Sequence, residues 1–252
     1  MKFGFCFLSV IPLRKSASDT SQMVSQLMFG DIVEVLDQVA ENWILVKNAF
    51  DNYEGYIDPK QLLELDSIDY LKLQDATYVN PLAGVISTDF GDYLLPSGCS
   101  FLKEQFTVSN VNFQYEGELS NSNEIRGQMI SELSKTFLNS PYLWGGKSSF
   151  GIDCSGFTQT VFKMAGIKLL RDASQQAKQG ELLNFIEEAQ TGDLAFFDNE
   201  EGEFIHVGII LSPNEIIHAS GRVRIDKIDH HGIYNKTLGK YTHHLRLIKR
   251  YV

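Results

Sequence analysis

The stretch Gly145-Gly-Lys-Ser-Ser-Phe-Gly-Ile-Asp-Cys-Ser-Gly156 sets four glycines around one cysteine, Cys154. Beyond it Phe157, Val161, Phe162 and Ala165 recur at helical spacing, and Gly166 follows as a stop, so a helix is predicted over residues 154–165. Cys154 therefore opens a helix, with Asp153 as its N-cap. Unpaired N–H groups and the dipole at that end favour an anion, so a lowered thiol pKa and a nucleophilic thiolate are expected. A buried, inert helix cysteine is the plain alternative at this level.

Moving outward, Met129, Ile130, Leu133, Phe137 and Leu138 fall at helical spacing before Pro141. Ser174–Leu183 is a third candidate helix. Strand patterns then follow at Asp193–Phe197, Ile205–Leu211, Glu215–Ala219, Val223–Ile225 and Leu245–Tyr251. Helices first and an antiparallel sheet afterwards make residues 124–252 an α+β domain. Upstream the character is all-β. Val33, Val35, Trp43–Val46 and Tyr56–Ile57 sit in short runs punctuated by Gly30–Asp31, Asp51–Asn52 and Asp58–Pro59, as in a small barrel over residues 1–66. Residues 67–123 repeat that patterning without repeating the sequence, and Glu118–Asn123 reads as a linker.

The 252 residues carry a net charge of −10, and the whole excess lies upstream. Residues 1–123 hold 7 Lys/Arg against 17 Asp/Glu, whereas residues 124–252 hold 15 of each. Such a balance argues against nucleic-acid binding, which needs clustered cations. No run approaches the roughly 18 apolar residues of a membrane-spanning helix. The start, Met1–Ile11, mimics a short export signal, but Pro12, Arg14 and Lys15 interrupt it, and a first barrel strand explains the same residues. A cytoplasmic setting is expected, with an exported form as the alternative. Three cysteines, Cys6, Cys99 and Cys154, make no disulfide framework, although a Cys6–Cys99 bridge is open.

A cysteine nucleophile needs a base. His206 and His218 lie on strands joined by a turn at Ser212–Pro213–Asn214. A hairpin centred on residue 212 sets them directly opposite on one face, with Cβ atoms about 5 Å apart. One imidazole then takes the thiol proton while the other fixes its tautomer. His230–His231 and His243–His244 are adjacent pairs whose members face opposite ways, and they read as surface. A zinc site from Cys154, His206 and His218 lacks a completing ligand, so no metal and no cofactor are expected.

Four ordered blocks resemble the NlpC-type cell-wall cysteine peptidases, which have a papain-like core. They are Asp153-Cys-Ser-Gly-Phe157, Thr191-Gly-Asp-Leu-Ala-Phe-Phe197, Ile205-His-Val-Gly-Ile209 and Ile216-Ile-His-Ala-Ser220. Val10-Ile-Pro-Leu-Arg14, Gln26-Leu-Met-Phe-Gly-Asp31 and Asn52-Tyr-Glu-Gly-Tyr-Ile57 resemble the bacterial SH3-like modules attached to such peptidases, with Tyr56 where Trp is usual. Residues 67–123 resemble a second, divergent module. The resemblance implies hydrolysis of the γ-D-glutamyl–diamino acid bond of peptidoglycan peptides. Cys154 would be the nucleophile, His206 the base and His218 the orienting member.

It further implies that the Cys154 N–H and the Tyr142 phenol stabilise the oxyanion, and that Asp153, Ser155, Arg171, Asp172 and Ser174 line the substrate groove. Arg171 suits the α-carboxylate of a γ-linked D-Glu, and Asp172 a free N-terminal amine. Ser155, Asp172 and Ser174 also read as helix caps, and Arg171 as an ion-pair partner. Tyr53 is implied to close the end of the groove, as opposed to being an exposed barrel aromatic. The expected partner is a small muropeptide with a free N-terminal L-Ala. Hydrolysis of intact wall, a non-catalytic wall-peptide-binding role and acyl transfer on the same residues are the rival readings, and the oligomeric state is not legible.

Overall fold

The computed structural model describes residues 2–74, 76, 78–121 and 129–251. The chain forms two compact units, Met1–Glu124 with Trp144–Ser148, and Ile125–Leu143 with Ser149–Val252. The end of the linker read at Glu118–Asn123, and the boundary at 123/124, lie outside the described residues.

In the first unit, the apolar start that mimics a signal is the strand Phe3–Cys6, and Phe5 and Cys6 are fully buried. It sits between the strands Ile32–Ala40 and Leu62–Leu65 in a seven-stranded antiparallel sheet. Alternation along Val10–Arg14 and Trp43–Asn48 buries Ile11, Leu13, Ile44 and Val46 in one apolar cluster. A second cluster joins Phe5, Phe29 and Leu65 to Phe101, Phe106 and Phe113. Phe29 and Phe113 meet edge to face at 5.6 Å, and Phe106 stacks on Phe113 at 5.2 Å. Residues 67–121 thus contribute to the same core as residues 3–65. Gly30, at φ +86°, allows this closeness, since a Cβ there would lie 1.9 Å from the Ser100 carbonyl oxygen. A helix, Ser67–Gln74, occupies a segment without helical periodicity, and its start is fixed by Asp66, whose carboxylate accepts from the N–H groups of Ile68 and Asp69. Cys6 and Cys99 are buried and unbridged, so the open disulfide is not formed.

In the second unit, the helix Cys154–Met164 is buried along its whole length. It ends at Gly166, φ +73°, as its sequence requires. Phe157 meets Phe137 at 5.8 Å, beyond the short helix Ile130–Lys135. The expected helix at Ser174–Leu183 is instead one turn, Ala173–Gln176, followed by the strand Glu181–Leu183. Gly180 breaks the helix at φ +68°, where a Cβ would come within 2.7 Å of the Arg250 carbonyl oxygen.

The antiparallel sheet runs in the order 181–183, 240–250, 194–198, 204–212, 215–220, 222–229 and 232–235. The last of these also pairs with 240–250, so six strands close on themselves. Ala195, Phe197, Ile210, Ile216, Ile228, Ile233 and Ile248 form one cluster on the shared face. Among the described residues no helix is long and apolar enough to cross a membrane.

Candidate active site

Cys154 occupies the first position of its helix, and the Asp153 carboxylate accepts the Gly156 N–H at 2.7 Å, as expected of an N-cap. Asp153 is locked in turn. Both of its oxygens take a guanidinium N–H of Arg171, at 3.0 and 2.7 Å, and Arg171 also donates to the Ser155 hydroxyl at 2.9 Å. The Arg171 side chain is 1% exposed. It clamps the start of the helix and is not an open receptor for a substrate carboxylate, in contrast to the expectation. Gln176, fully buried, extends this support by donating to the Ser155 and Leu170 carbonyls and accepting from Thr158. Asp172 is half-buried at the turn into the next helix, where its N–H donates to Gln175, and Ser174 is exposed.

Cys154 as a whole is 8% exposed. Burial, then the Asp153 carboxylate, push it up to about 12, while the N–H groups of Val207 and Ser155 and the charge of Arg171 pull the other way. The resting group is a thiol, so the expected thiolate is not formed: desolvation outweighs the helix start. The Tyr142 phenol is also pushed up to about 12, by burial and then by the charges of Cys154 and Asp153. Its backbone is fixed by a bond to the Gly221 carbonyl and a bridge to Ile152.

Val207, whose N–H reaches the thiol, follows His206 on the strand Phe204–Ser212. His206 Nε2 and His218 Nδ1 are 2.8 Å apart. The sequence places these two residues on one face correctly but in the wrong register. Ile209 pairs with Ile217 and Ile210 with Ile216, and the irregularity before Ser212 moves the hairpin centre. His218 therefore stands across from Gly208, and the histidines meet diagonally. Gly208 makes the space, since a Cβ there would lie 2.9 Å from the His218 Cβ.

Two neighbours went unread in the sequence. Asp226, buried on the next strand, accepts from His218 Nε2 at 3.1 Å and from an Nη of Arg224 at 2.9 Å, with Arg224 Nε 2.7 Å away in the same ion pair. Burial alone would raise its carboxyl, but the bonds from His218 and Arg224 hold it below the ordinary range. The ionised carboxylate can only accept, so Nε2 of His218 carries the hydrogen and Nδ1 is an acceptor. His206 then donates through Nε2, and its Nδ1 keeps a lone pair. The only sequence sign of Asp226 was its place two residues after Arg224, which pairs with His218.

His243, read as surface, stacks on His206 at 4.1 Å and 25° and is half-buried. Its neighbour His244 points outward. His230 and His231 are exposed, as expected. Burial is the first cause lowering all three clustered imidazoles: His206 well below 6.5, His218 below it, and His243 to about 4. Tyr53 belongs to the first unit, half-buried against its apolar cluster, where its N–H donates to Asp51 and its carbonyl accepts from Asn48.

Residues 139–242 match the NlpC/P60 family, and residues 13–62 match the bacterial dipeptidyl-peptidase Sh3 domain. The chain is 45% identical over 92 residues to a gamma-D-glutamyl-L-lysine dipeptidyl-peptidase of Bacillus subtilis, covering 36% of this chain and 31% of the relative. It is 31% identical over 193 residues to a protein of the same name from Bacillus cereus, covering 74% of this chain and 52% of the relative. The matches thus span about a third and about half of these two curated relatives. The crystal structure of an NlpC/P60 family protein from Bacillus cereus superposes with a TM-score of 0.82 at 21% identity, over 99% of both chains. That likeness carries the fold alone.

Proposed function

Taking the chain as the member of the NlpC/P60 family that residues 139–242 make it, we propose that it is a cysteine peptidase that hydrolyses the γ-D-glutamyl–diamino acid bond of small peptidoglycan peptides. The observation that carries this reading is the relay behind the thiol. A carboxylate, Asp226, fixes the tautomer of His218, which fixes that of His206, on the strand whose backbone holds Sγ.

In the reaction, the thiol proton passes to the Nδ1 lone pair of His206 as Sγ attacks the γ-carbonyl carbon. The resulting imidazolium is stabilised through His218 by the Asp226 carboxylate. The Cys154 N–H and the Tyr142 phenol donate to the oxyanion. The C–N bond then breaks and the leaving amine takes the proton from His206; water attacks the thioester as it gives a proton to the same nitrogen, the C–S bond breaks, and that proton returns to Sγ. Because the resting thiol is neutral, the proton transfer accompanies attack.

Two relatives named for γ-D-glutamyl-L-lysine cleavage support this substrate class. A free N-terminal L-Ala is read from Asp172, the half-buried acid on the turn that follows the clamp. The three parts read from the sequence, SH3-like modules at 1–66 and 67–123 and a papain-like domain at 124–252, belong to the same proposal, as does recycling of small peptides in the cytoplasm. The test is turnover of L-Ala-γ-D-Glu-diamino acid with and without a blocked amine, beside intact sacculi. Preferential cleavage of the unblocked tripeptide is expected. Equal turnover of the two tripeptides removes the role of Asp172, and preferential solubilisation of sacculi overturns the recycling reading.

A further inference from the structure

The sequence weighs Cys154, His206 and His218 as zinc ligands; the fold instead gathers His243 with the two histidines, apart from the thiol. One ring nitrogen from each of His206, His218 and His243 lies within 4.8 Å of the others. Tetrahedral zinc, with Zn–N distances of about 2.0–2.1 Å, needs ligand nitrogens about 3.3 Å apart. His206 and His218 already stand at 2.8 Å, and the His243 ring is stacked on His206. A shared ion requires the His243 ring to tilt out of that stack, so that its nitrogen lone pair converges with those of His206 and His218. The outer partner that metal-binding histidines usually have is present too, as Asp226 accepts the other ring N–H of His218. Phe197, a member of the apolar cluster, meets the His206 and His243 rings at 5.8 and 5.9 Å.

We propose that His206 Nε2, His218 Nδ1 and a ring nitrogen of His243 form a site for a zinc-like divalent cation, and that its occupancy switches the peptidase off. The proton balance gives the reason. His206 now carries its hydrogen on Nε2 and its lone pair on Nδ1. A cation on Nε2 requires the lone pair there, so the hydrogen moves to Nδ1, the nitrogen that has to accept the thiol proton. No net proton is lost, and the base is in the wrong tautomer. Binding stands on the geometry alone, whereas inhibition also rests on the reading of His206 as the base.

The test is zinc chloride titrated calorimetrically into the whole chain and into its Cys154→Ser and His243→Phe variants, with peptidase inhibition followed on wild type and His243→Phe. X-ray absorption of zinc-loaded Cys154→Ser identifies the ligands and does not depend on the His243→Phe variant folding. One zinc per chain is expected in wild type and in Cys154→Ser, with three imidazole nitrogens at about 2.0–2.1 Å and no sulfur. Loss of the His243 ligand weakens affinity by at least roughly 10–100-fold, the loss that outer-shell partners alone produce. The zinc concentration for half-inhibition rises by the same factor. Zinc binding that vanishes in Cys154→Ser, or is unchanged in folded His243→Phe, overturns the site. Binding through the three imidazoles with undiminished turnover keeps the site and overturns His206 as the base.

Discussion

Replacing Asp226 by asparagine keeps the size of the side chain and removes its charge from the relay. The carboxylate lies one imidazole and two hydrogen bonds, of 3.1 and 2.8 Å, from His206 Nε2. At a separation of about 8 Å and an effective dielectric of about 20, a full charge stabilises the imidazolium of His206 by about 2 kcal/mol. Arg224, ion-paired with the same carboxylate at 2.7 Å, offsets part of this. The net loss is about 1–2 kcal/mol, or a 5- to 30-fold fall in kcat, since about 1.4 kcal/mol is tenfold. The assay is release of diamino acid from the tripeptide, with thermal melting to establish the fold and NMR titration of the His218 ring. KM is expected to be nearly unchanged, because Asp226 stabilises charge that develops only in the transition state. The His218 pKa is expected to fall further, because the bond and charge that raise it are weakened. A folded variant within twofold of wild type would refute the relay. Complete loss with a raised KM would instead place Asp226 against the substrate.

Other outcomes follow from the same geometry. Gly208→Ala introduces a Cβ 2.9 Å from that of His218 and 2.8 Å from Ile216, so kcat falls, and stability drops by about 1–3 kcal/mol in denaturant melts. Arg171→Met leaves the buried Asp153 carboxylate without its bidentate partner and lowers stability by about 3–5 kcal/mol, which chemical denaturation measures. His243 titrates near 4 in the folded chain against 6.5 for an ordinary histidine. Below pH 6.5 the unfolded chain therefore binds a proton the folded one excludes, so His243's contribution is full above 6.5 and is lost as pH falls toward 4. Melting temperatures in His243→Phe, compared with wild type across that window, read this out as a weaker acid dependence. Thiolate absorbance of the substrate-free protein is expected to rise well above the ordinary cysteine range, because burial holds Cys154 up to about 12.

Much of this site is legible in the sequence because its parts are local. The glycine-bracketed Asp153-Cys154 step is an N-cap followed by a helical period, and the structure places both residues as read. Strand alternation puts His206 and His218 on one face without knowledge of the partner strands. What escaped depends on pairing across the sheet. The irregularity before Ser212 moves the hairpin centre, which alternation alone does not reveal. Asp226 faces His218 only once the register of two strands is set. His243 and His244 are equivalent as a sequence pair, and only closure of the six strands turns one inward. The lowered thiol pKa was expected from the helix start, a local feature, and was overruled by burial, which the sequence does not encode locally. The segment at 174–183 failed for a related reason: Gly180 is placed by its approach to Arg250, about seventy residues away.

In the proposed function Cys154, with His206 and His218 behind it, cleaves the bond between γ-D-glutamate and the diamino acid. Mass spectrometry of L-Ala-γ-D-Glu-diamino acid incubated with wild type and with folded Cys154→Ala tests it directly. The wild type is expected to yield the diamino acid and the L-Ala-γ-D-Glu dipeptide, and Cys154→Ala neither. Release of the diamino acid by Cys154→Ala at the wild-type rate, or an intact tripeptide after incubation with wild type, would overturn the assignment of Cys154 as the nucleophile for this bond.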